Sequence, residues 1–257
     1  MIQLMRPGSS LLLFAMVFIP VALRSQDLIN SFALSIPMLL RGMCTFVAND
    51  LDDINADSVN YPTRPLPSKT VSPLVAAVLY FACLAAALLT IKVLVPPRMA
   101  FLYYLTMTLT ISYRYVVAFI PTVKAPYTAG TITVPSIIVG QCNGHGARFA
   151  VVIIAVFAFT LGRELCMDIV DRAGDTKSLM HRLRPNSVAT GAFSLQAVAL
   201  FLILRWFPAL NCWILVDLAA ITILLAFTSL YWFRLKKHTT ATDLMKLQLL
   251  LGLYFLV

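Results

Sequence analysis

The sequence predicts an all-α integral membrane fold, and three observations carry that prediction. Hydrophobic residues make up 60% of the chain and charged residues 12%, with mean hydropathy +0.86; soluble domains carry about 25% charged residues. The apolar residues fall in runs near the ~20 residues that cross a bilayer, joined by short links rich in proline and cations. Eight of the eleven acidic residues sit in two places only: Asp50, Asp52, Asp53 and Asp57, then Glu164, Asp168, Asp171 and Asp175. A chain of 257 residues has room for eight or nine crossings and little else, so residues 1–257 read as one transmembrane domain.

Taken in order, the runs give nine helices. Arg6-Pro7 and the apolar stretch to Leu23 resemble the core of a signal peptide, but a second membrane run follows at once, so residues 8–24 form the first helix. The second spans Leu28 to Asn49 and delivers the first acidic motif. Pro62, Pro65 and Pro67 forbid a continuing helix, which makes Ser58 to Ser72 a loop at the membrane face. The third helix runs from Pro73 to Val95 and the fourth from Arg98 to about Ile120. A polar link, Thr122 to Gly130, carries Lys124 and precedes a short fifth helix over about Thr131 to Val139. Gln141 to Arg148 is a loop, and the sixth helix, Phe149 to about Val170, ends in the second acidic motif. After a charged loop, Ala173 to Pro185, the last three helices fall near 187–207, 211–233 and 241–257.

Alternating crossings put both acidic motifs on one face. That face also takes Arg6, Arg64, Lys69, Lys124, Arg172 and the cations of 177–184 and 234–237. The opposite face takes mainly Arg24, Lys92, Arg98, Arg148 and Arg205. The positive-inside tendency then makes the motif face cytoplasmic. The net charge of +9 is spread over many short loops rather than along one stripe, which argues against nucleic-acid binding. Five scattered cysteines, four of them in apolar runs, read as small apolar fillers rather than disulfides or metal ligands.

Acids at the end of a membrane helix are costly to bury and signal function. Residues three, four and seven apart share a helix side. Asn49 and Asp53, and Asp50, Asp53 and Asp57, follow that rule, as do Glu164, Asp168, Asp171 and Asp175. Carboxylates so arranged repel one another unless a cation joins them. An all-oxygen set without His or Cys suits Mg²⁺, which typically links a few carboxylates to substrate phosphates. Calcium fits less well, since the spacing lacks an EF-hand loop and its glycine. Arg64, Lys124, Arg172 and Arg114 could take the outer phosphate oxygens. The pattern is that of a diphosphate site at a membrane face above an apolar cavity.

The run Asn49-Asp50-x-x-Asp53-x-x-x-Asp57, followed by Asn60-Tyr61-Pro62-x-Arg64-Pro65-Leu66-Pro67-Ser68, closely resembles the first signature of UbiA-type intramembrane prenyltransferases. Arg163-Glu164-Leu165-x-x-Asp168-Ile169-x-Asp171-x-x-Gly174-Asp175 resembles their second, and Arg6-Pro7 the pair that opens their first helix. The pattern is most similar to the archaeal ether-lipid branch, with chlorophyll synthases next. The resemblance implies nine helices around a central cavity open to lipid, two Mg²⁺ ions between the motifs, and ionisation of a prenyl diphosphate to an allylic cation. It implies metal ligands at Asn49, Asp50, Asp53, Asp57, Asp168, Asp171 and Asp175, with Arg64, Lys124 and Arg172 on the diphosphate. Asp53, Asp57, Asp168 and Asp171 would then be central to catalysis. Three departures bear on the acceptor: Thr131 follows Gly130 where relatives often have Asn, Leu183-Arg184-Pro185 lacks the G-x-x-T before Leu-Pro, and Gly8-Ser9 follows Arg6-Pro7.

Two activities follow from that resemblance. One is transfer of the prenyl group to a lipophilic acceptor. The alternative is a UbiA-type terpene cyclase, which folds the cation onto its own double bonds. An ion transporter, the rival from another class, would favour acids near the bilayer midplane rather than at one face. Tyr103, Tyr104, Tyr113, Tyr115 and Phe119 are candidates to wall the cation, against the commoner role of aromatics facing lipid. Arg41, two turns inside the second helix, needs a partner. Asp52 and Asn55 lie off the acidic face, and Glu164 has Arg163, Lys124 or a metal open to it. His181, His145 and His238 read as loop or interfacial residues, and Cys142 with His145 lacks the further ligands zinc requires.

Overall fold

The computed structural model describes residues 2–143, 147–173, 183–206, 212–236 and 238–252. Among them are nine helices of 15 to 25 residues, one short helix and no strand. The helices are α1 (Pro7–Ser25), α2 (Leu28–Asp52), α3 (Ile54–Asn60), α4 (Pro73–Leu94), α5 (Pro97–Phe119), α6 (Lys124–Asn143), α7 (Ala147–Val170), α8 (Pro185–Trp206), α9 (Cys212–Phe233) and α10 (His238–Gly252). Among the described residues five segments are long and apolar enough to cross a membrane: Ile2–Ser25, Leu28–Asp52, Pro73–Leu94, Phe149–Ala173 and Pro185–Arg205. Ala219–Phe233 is a shorter apolar helix.

Side-chain caps start α2 and α4. The Asp27 carboxylate accepts the Asn30 N–H at 3.0 Å and caps α2. Ser72 does the same for Val75 at 3.3 Å, with Pro73 at the first helical position of α4. Hydroxyls inside α5 bond back to their own helix: Thr106 to the Tyr103 carbonyl, Thr108 to Tyr104 and Ser112 to Thr108. Thr128, Thr131 and Thr133 do so in α6. Such bonds satisfy the hydroxyls within their own helix, although the hydroxyl residues lower the hydropathy of α5 and α6.

Three expected boundaries change. The fifth helix is not a short piece over 131–139 but the 20-residue α6, and Lys124 opens it instead of lying in a link. Pro126 is compatible with this, because a proline in the first turn replaces an N–H that has no intrahelical acceptor anyway. The helical path also continues past Asn49: α3 carries Ser58 to Asn60, which were expected in the loop. Residues 141–143 and 147–148, expected in a loop, are helical.

The described chain divides into two compact units, one of residues 2–120 with Ala173 and one of 121–143, 147–172, 183–206, 212–236 and 238–252. In the first, α2 is the spine and packs on α1, α4 and α5. Gly42 permits the α1–α2 approach: a Cβ there would lie 3.1 Å from the Ser10 Cα and the Leu13 Cδ1. The Tyr103 hydroxyl, wholly buried, donates to the Leu34 carbonyl at 2.7 Å and ties α5 to α2. In the second unit α7 packs on α6, α8 and α10. Its core joins Cys166, Ala189, Ala192, Phe193, Trp232, Ala241 and Met245. A Cβ at Gly162 would meet the Ala192 carbonyl oxygen at 2.7 Å, so α7 and α8 touch backbone to backbone there, as small residues allow in membrane bundles.

Gly162→Leu is therefore expected to destabilise the protein by about 1–3 kcal/mol or more, seen as a lower unfolding temperature in detergent. Gly191→Ala, where a Cβ meets nothing within 4 Å, should leave that temperature unchanged or raise it; equal behaviour of the two variants would refute the close contact.

Candidate active site

The first acidic motif straddles a break in the backbone. Asp53 ends α2 and begins α3 with φ −99° and ψ 14°, and two hydrogen bonds bridge the break: Asp53 N to the Asn49 carbonyl at 2.9 Å and Asp57 N to the Asp53 carbonyl at 2.7 Å. The helical register therefore nearly survives. Asp50 and Asp57 are buried on one side, Asn49 is half-buried and Asp53 is exposed.

Both buried carboxylates meet guanidinium groups. Arg64 Nη1 donates to both oxygens of Asp57 at 2.6 Å and lies 3.9 Å from Asp50 Oδ1. Arg6 contacts that same Asp50 Oδ1 from the start of α1. The Arg64 guanidinium also lies over the Tyr61 ring, 3.9 Å from its centroid. Burial pushes Arg64 toward its neutral form, but the hydrogen bonds and charge of Asp57, then Asp50, then Tyr61 outweigh that and hold it more firmly protonated than a free arginine.

The loop that presents Arg64 is tightly ordered for a proline-rich stretch. The Pro65 carbonyl accepts from Val71 N at 3.1 Å and Thr70 Oγ1 at 3.1 Å, Ser68 N bonds to the Arg64 carbonyl at 3.0 Å, and Lys69 takes a left-handed φ of 59°. Leu66 is buried beneath it with Leu4, Val47 and Ala76. Gln3, Arg6, Asp50, Thr63, Arg64 and Pro65 line a cavity of about 310 Å³.

Arg6 is the residue that reading the sequence for acids missed. Its signal was present in Arg6-Pro7, where proline sets the first helical position and leaves Arg6 as the N-cap. The outer acid Asp52 has its own partner, Arg114, at 3.2 Å. Arg41 Nε donates to Thr110 Oγ1 at 3.0 Å within the first unit.

In the second unit, Asp168 is buried near the end of α7 and Lys124, at the start of α6, reaches its Oδ1 at 3.2 Å. Glu164 is taken by its neighbour Arg163. Asp171 and Arg172 lie beyond α7 in a 3-10 turn, Asp171–Ala173, so the α-helical spacing that aligned the motif ends at Val170. Asp175, His145 and His181 lie outside the described residues. Of the aromatics expected to wall a cavity, Tyr103 is spent on the α2 carbonyl, whereas Tyr104, Tyr115 and Phe119 are exposed, as lipid-facing rings would be.

Among the described residues no three His, Cys, Asp or Glu side chains converge into a cage for a metal ion. The donor set nevertheless fits Mg²⁺, which takes one or two carboxylates and completes its shell with waters and substrate phosphates. Asp50 and Asp57, oxygen donors brought together through Arg64 beside a polar cavity, meet that description.

Comparison with known proteins gives the family and the fold. Residues 11–252 match the UbiA prenyltransferase family. The chain belongs to that family. It is 28% identical over 181 residues to the digeranylgeranylglyceryl phosphate synthase of Natronomonas pharaonis, a match covering 68% of this chain and 64% of that protein. To the enzyme of the same name from Sulfolobus acidocaldarius it is 25% identical over 213 residues, covering 79% and 75%. The chain thus spans just under two thirds of the first of these UbiA relatives. Solved structures share the fold: a UbiA homolog from Aeropyrum pernix K1 aligns with TM-score 0.76 at 15% identity, covering 96% of each chain. A UbiA homolog from Archaeoglobus fulgidus, bound to DMAPP and Mg²⁺, gives 0.67 at 15% identity over 98% of this chain and 97% of that one.

Arg64→Lys keeps the charge but loses the guanidinium plane that lies over the Tyr61 ring. Hydrogen exchange of the Tyr61–Ser68 amides should accelerate by about tenfold or more, while Arg114→Gln, which breaks a mostly exposed pair, should leave those amides unchanged. Unaltered exchange in Arg64→Lys would remove Arg64 as the anchor of the loop.

Proposed function

We propose that this UbiA-family chain is a Mg²⁺-dependent intramembrane prenyltransferase, moving a prenyl group from its diphosphate to a lipophilic acceptor. The observation that carries the reading is the buried Asp50, set with Arg6 and Arg64 on one polar cavity at the end of a membrane-length helix, with the buried Asp57 behind it on Arg64. Family membership and the DMAPP and Mg²⁺ bound by the Archaeoglobus fulgidus homolog support it. The metal-binding residues are Asn49, Asp50, Asp53, Asp57, Asp168, Asp171 and Asp175, and Arg64, Lys124 and Arg172 hold the diphosphate. Mg²⁺, when bound, neutralises the departing diphosphate and favours breaking the C–O bond. The arginines and Lys124 add charge-assisted hydrogen bonds to the outer phosphate oxygens. The apolar helix faces exclude water from the allylic cation.

The relatives' name describes a glyceryl phosphate carrying two geranylgeranyl groups, so the acceptor class we favour is a glyceryl phosphate lipid with a free hydroxyl. That hydroxyl attacks the allylic carbon, losing its proton as the ether bond forms. We further propose nine crossings in a single domain of residues 1–257, with both acidic motifs on the cytoplasmic face. The larger share of loop cations on that face supports this orientation. A fluorescent protein fused after Lys69 should then fold and glow in cells; periplasmic or external exposure of the fusion would reverse the topology.

Asp57→Ala and Asp168→Ala should each lower diphosphate release from geranylgeranyl diphosphate by at least about a hundredfold, the scale of losing a key charge-stabilising group. Gel filtration in detergent shows whether they stay folded. Full activity in both folded variants would sink the assignment.

A further inference from the structure

Asp50 is held by a cation that belongs to the chain itself. Arg6 reaches its Oδ1 across 44 residues of sequence, and Arg64 stands 3.9 Å from the same atom. The local backbone is arranged to put Arg6 there. It sits at the N-cap of α1 with φ 41° and ψ 66°, a left-handed conformation that a side chain with a Cβ adopts at a cost. Its carbonyl accepts the Ser9 and Ser10 amides, both at 3.0 Å. Ser10 Oγ donates to the Met5 carbonyl at 2.8 Å, and Leu4, wholly buried, anchors the preceding 3-10 turn against Val47, Leu66 and Ala76. The guanidinium lies 5.3 Å from the Phe46 ring and its side chain is still 32% exposed, so it is seated but has room to swing.

Charge counting gives the consequence. Two arginines, Arg6 and Arg64, balance two buried carboxylates: Asp50, which lines the cavity with them, and Asp57, which Arg64 holds. A divalent cation arriving alone competes with Arg6 for the Asp50 oxygen and leaves the site with surplus positive charge. A diphosphate arriving with it gives the displaced guanidinium a new anion. The cavity, about 310 Å³, is lined by Arg6, Asp50 and Arg64 together, so an anion entering it meets both guanidinium groups. The second acidic cluster repeats the pattern independently, with Lys124 on Asp168.

We propose that Arg6 is a resident counter-ion of Asp50 that a divalent cation must displace, so the chain takes the cation poorly by itself and well together with a diphosphate. Arg6 is thereby a positioning residue that sets the order of loading. The inference rests on the Mg²⁺–diphosphate reading of the site, and because linkage is reciprocal, binding measurements test it without turnover.

The experiment uses the full chain in detergent, Mn²⁺ as the probe, and electron paramagnetic resonance of free Mn²⁺, with and without inorganic pyrophosphate and corrected for their complex in solution. The wild-type chain should bind Mn²⁺ about a hundredfold more tightly with pyrophosphate, within the usual range of coupling between two ligands. Arg6→Gln should bind Mn²⁺ alone at least about fivefold more tightly than wild type and lose most of the pyrophosphate enhancement. Adding Asp50→Asn should erase that gain. Leu4→Ala, which loosens the seat of Arg6, should give a smaller gain in the same direction and decides the matter should Arg6→Gln not fold. Wild-type coupling without any gain in the folded Arg6 or Leu4 variant overturns the counter-ion role alone. Absence of pyrophosphate-enhanced Mn²⁺ binding in wild type overturns the metal–diphosphate reading and this inference together.

Discussion

The structure depends on one constraint: carboxylates at the end of a membrane helix must be neutralised by something that is itself held in place. Removing one partner of a buried ion pair costs about 3–5 kcal/mol, because the other charge is left stranded. Here Asp57 has Arg64 and Asp50 has Arg6, and each arginine is delivered by a separate piece of chain. The 61–72 loop folds around the Pro65 carbonyl to present Arg64, and the turn at Ile2–Met5 buries Leu4 to present Arg6. In the second unit the start of α6 presents Lys124 to Asp168. The helices supply position and the links supply charge.

Much of this was legible in the sequence because the cues are local. Apolar runs of bilayer length, prolines at helix starts and the two acidic clusters mark α1, α2, α4, α7 and α8 within a few residues of their ends. What local cues conceal is pairing over long separations. Nothing near Asp50 says that Arg6, 44 positions away, will meet it, and nothing near Asp168 says that Lys124 will. The extent of α6 was hidden for a different reason. Pro126 and the hydroxyl-rich stretch after it look like a link, yet they are compatible with a first helical turn and with hydroxyls that bond to their own helix.

The acidic motifs also show the limit of helical spacing as an argument. Spacing placed Asp50, Asp53 and Asp57 together, but the break at Asp53 buries the outer two and exposes the middle one. Asp171 follows α7 in a 3-10 turn rather than continuing its face. A site made where a helix ends, in place of along its length, gains backbone freedom to bring side chains from several elements to one cavity. That freedom suits a site whose metal shell is completed by substrate oxygens, since no three protein ligands need converge beforehand.

The most direct test of the account is the product. Purified protein would be incubated with Mg²⁺ and geranylgeranyl diphosphate, with and without a prenylated glyceryl phosphate lipid, and the organic extract analysed by mass spectrometry. An ether-linked product carrying the added prenyl mass, formed only when the acceptor is present, is the expected result. A cyclised hydrocarbon made from the donor alone, with no acceptor product, would contradict it and make this family member a terpene cyclase.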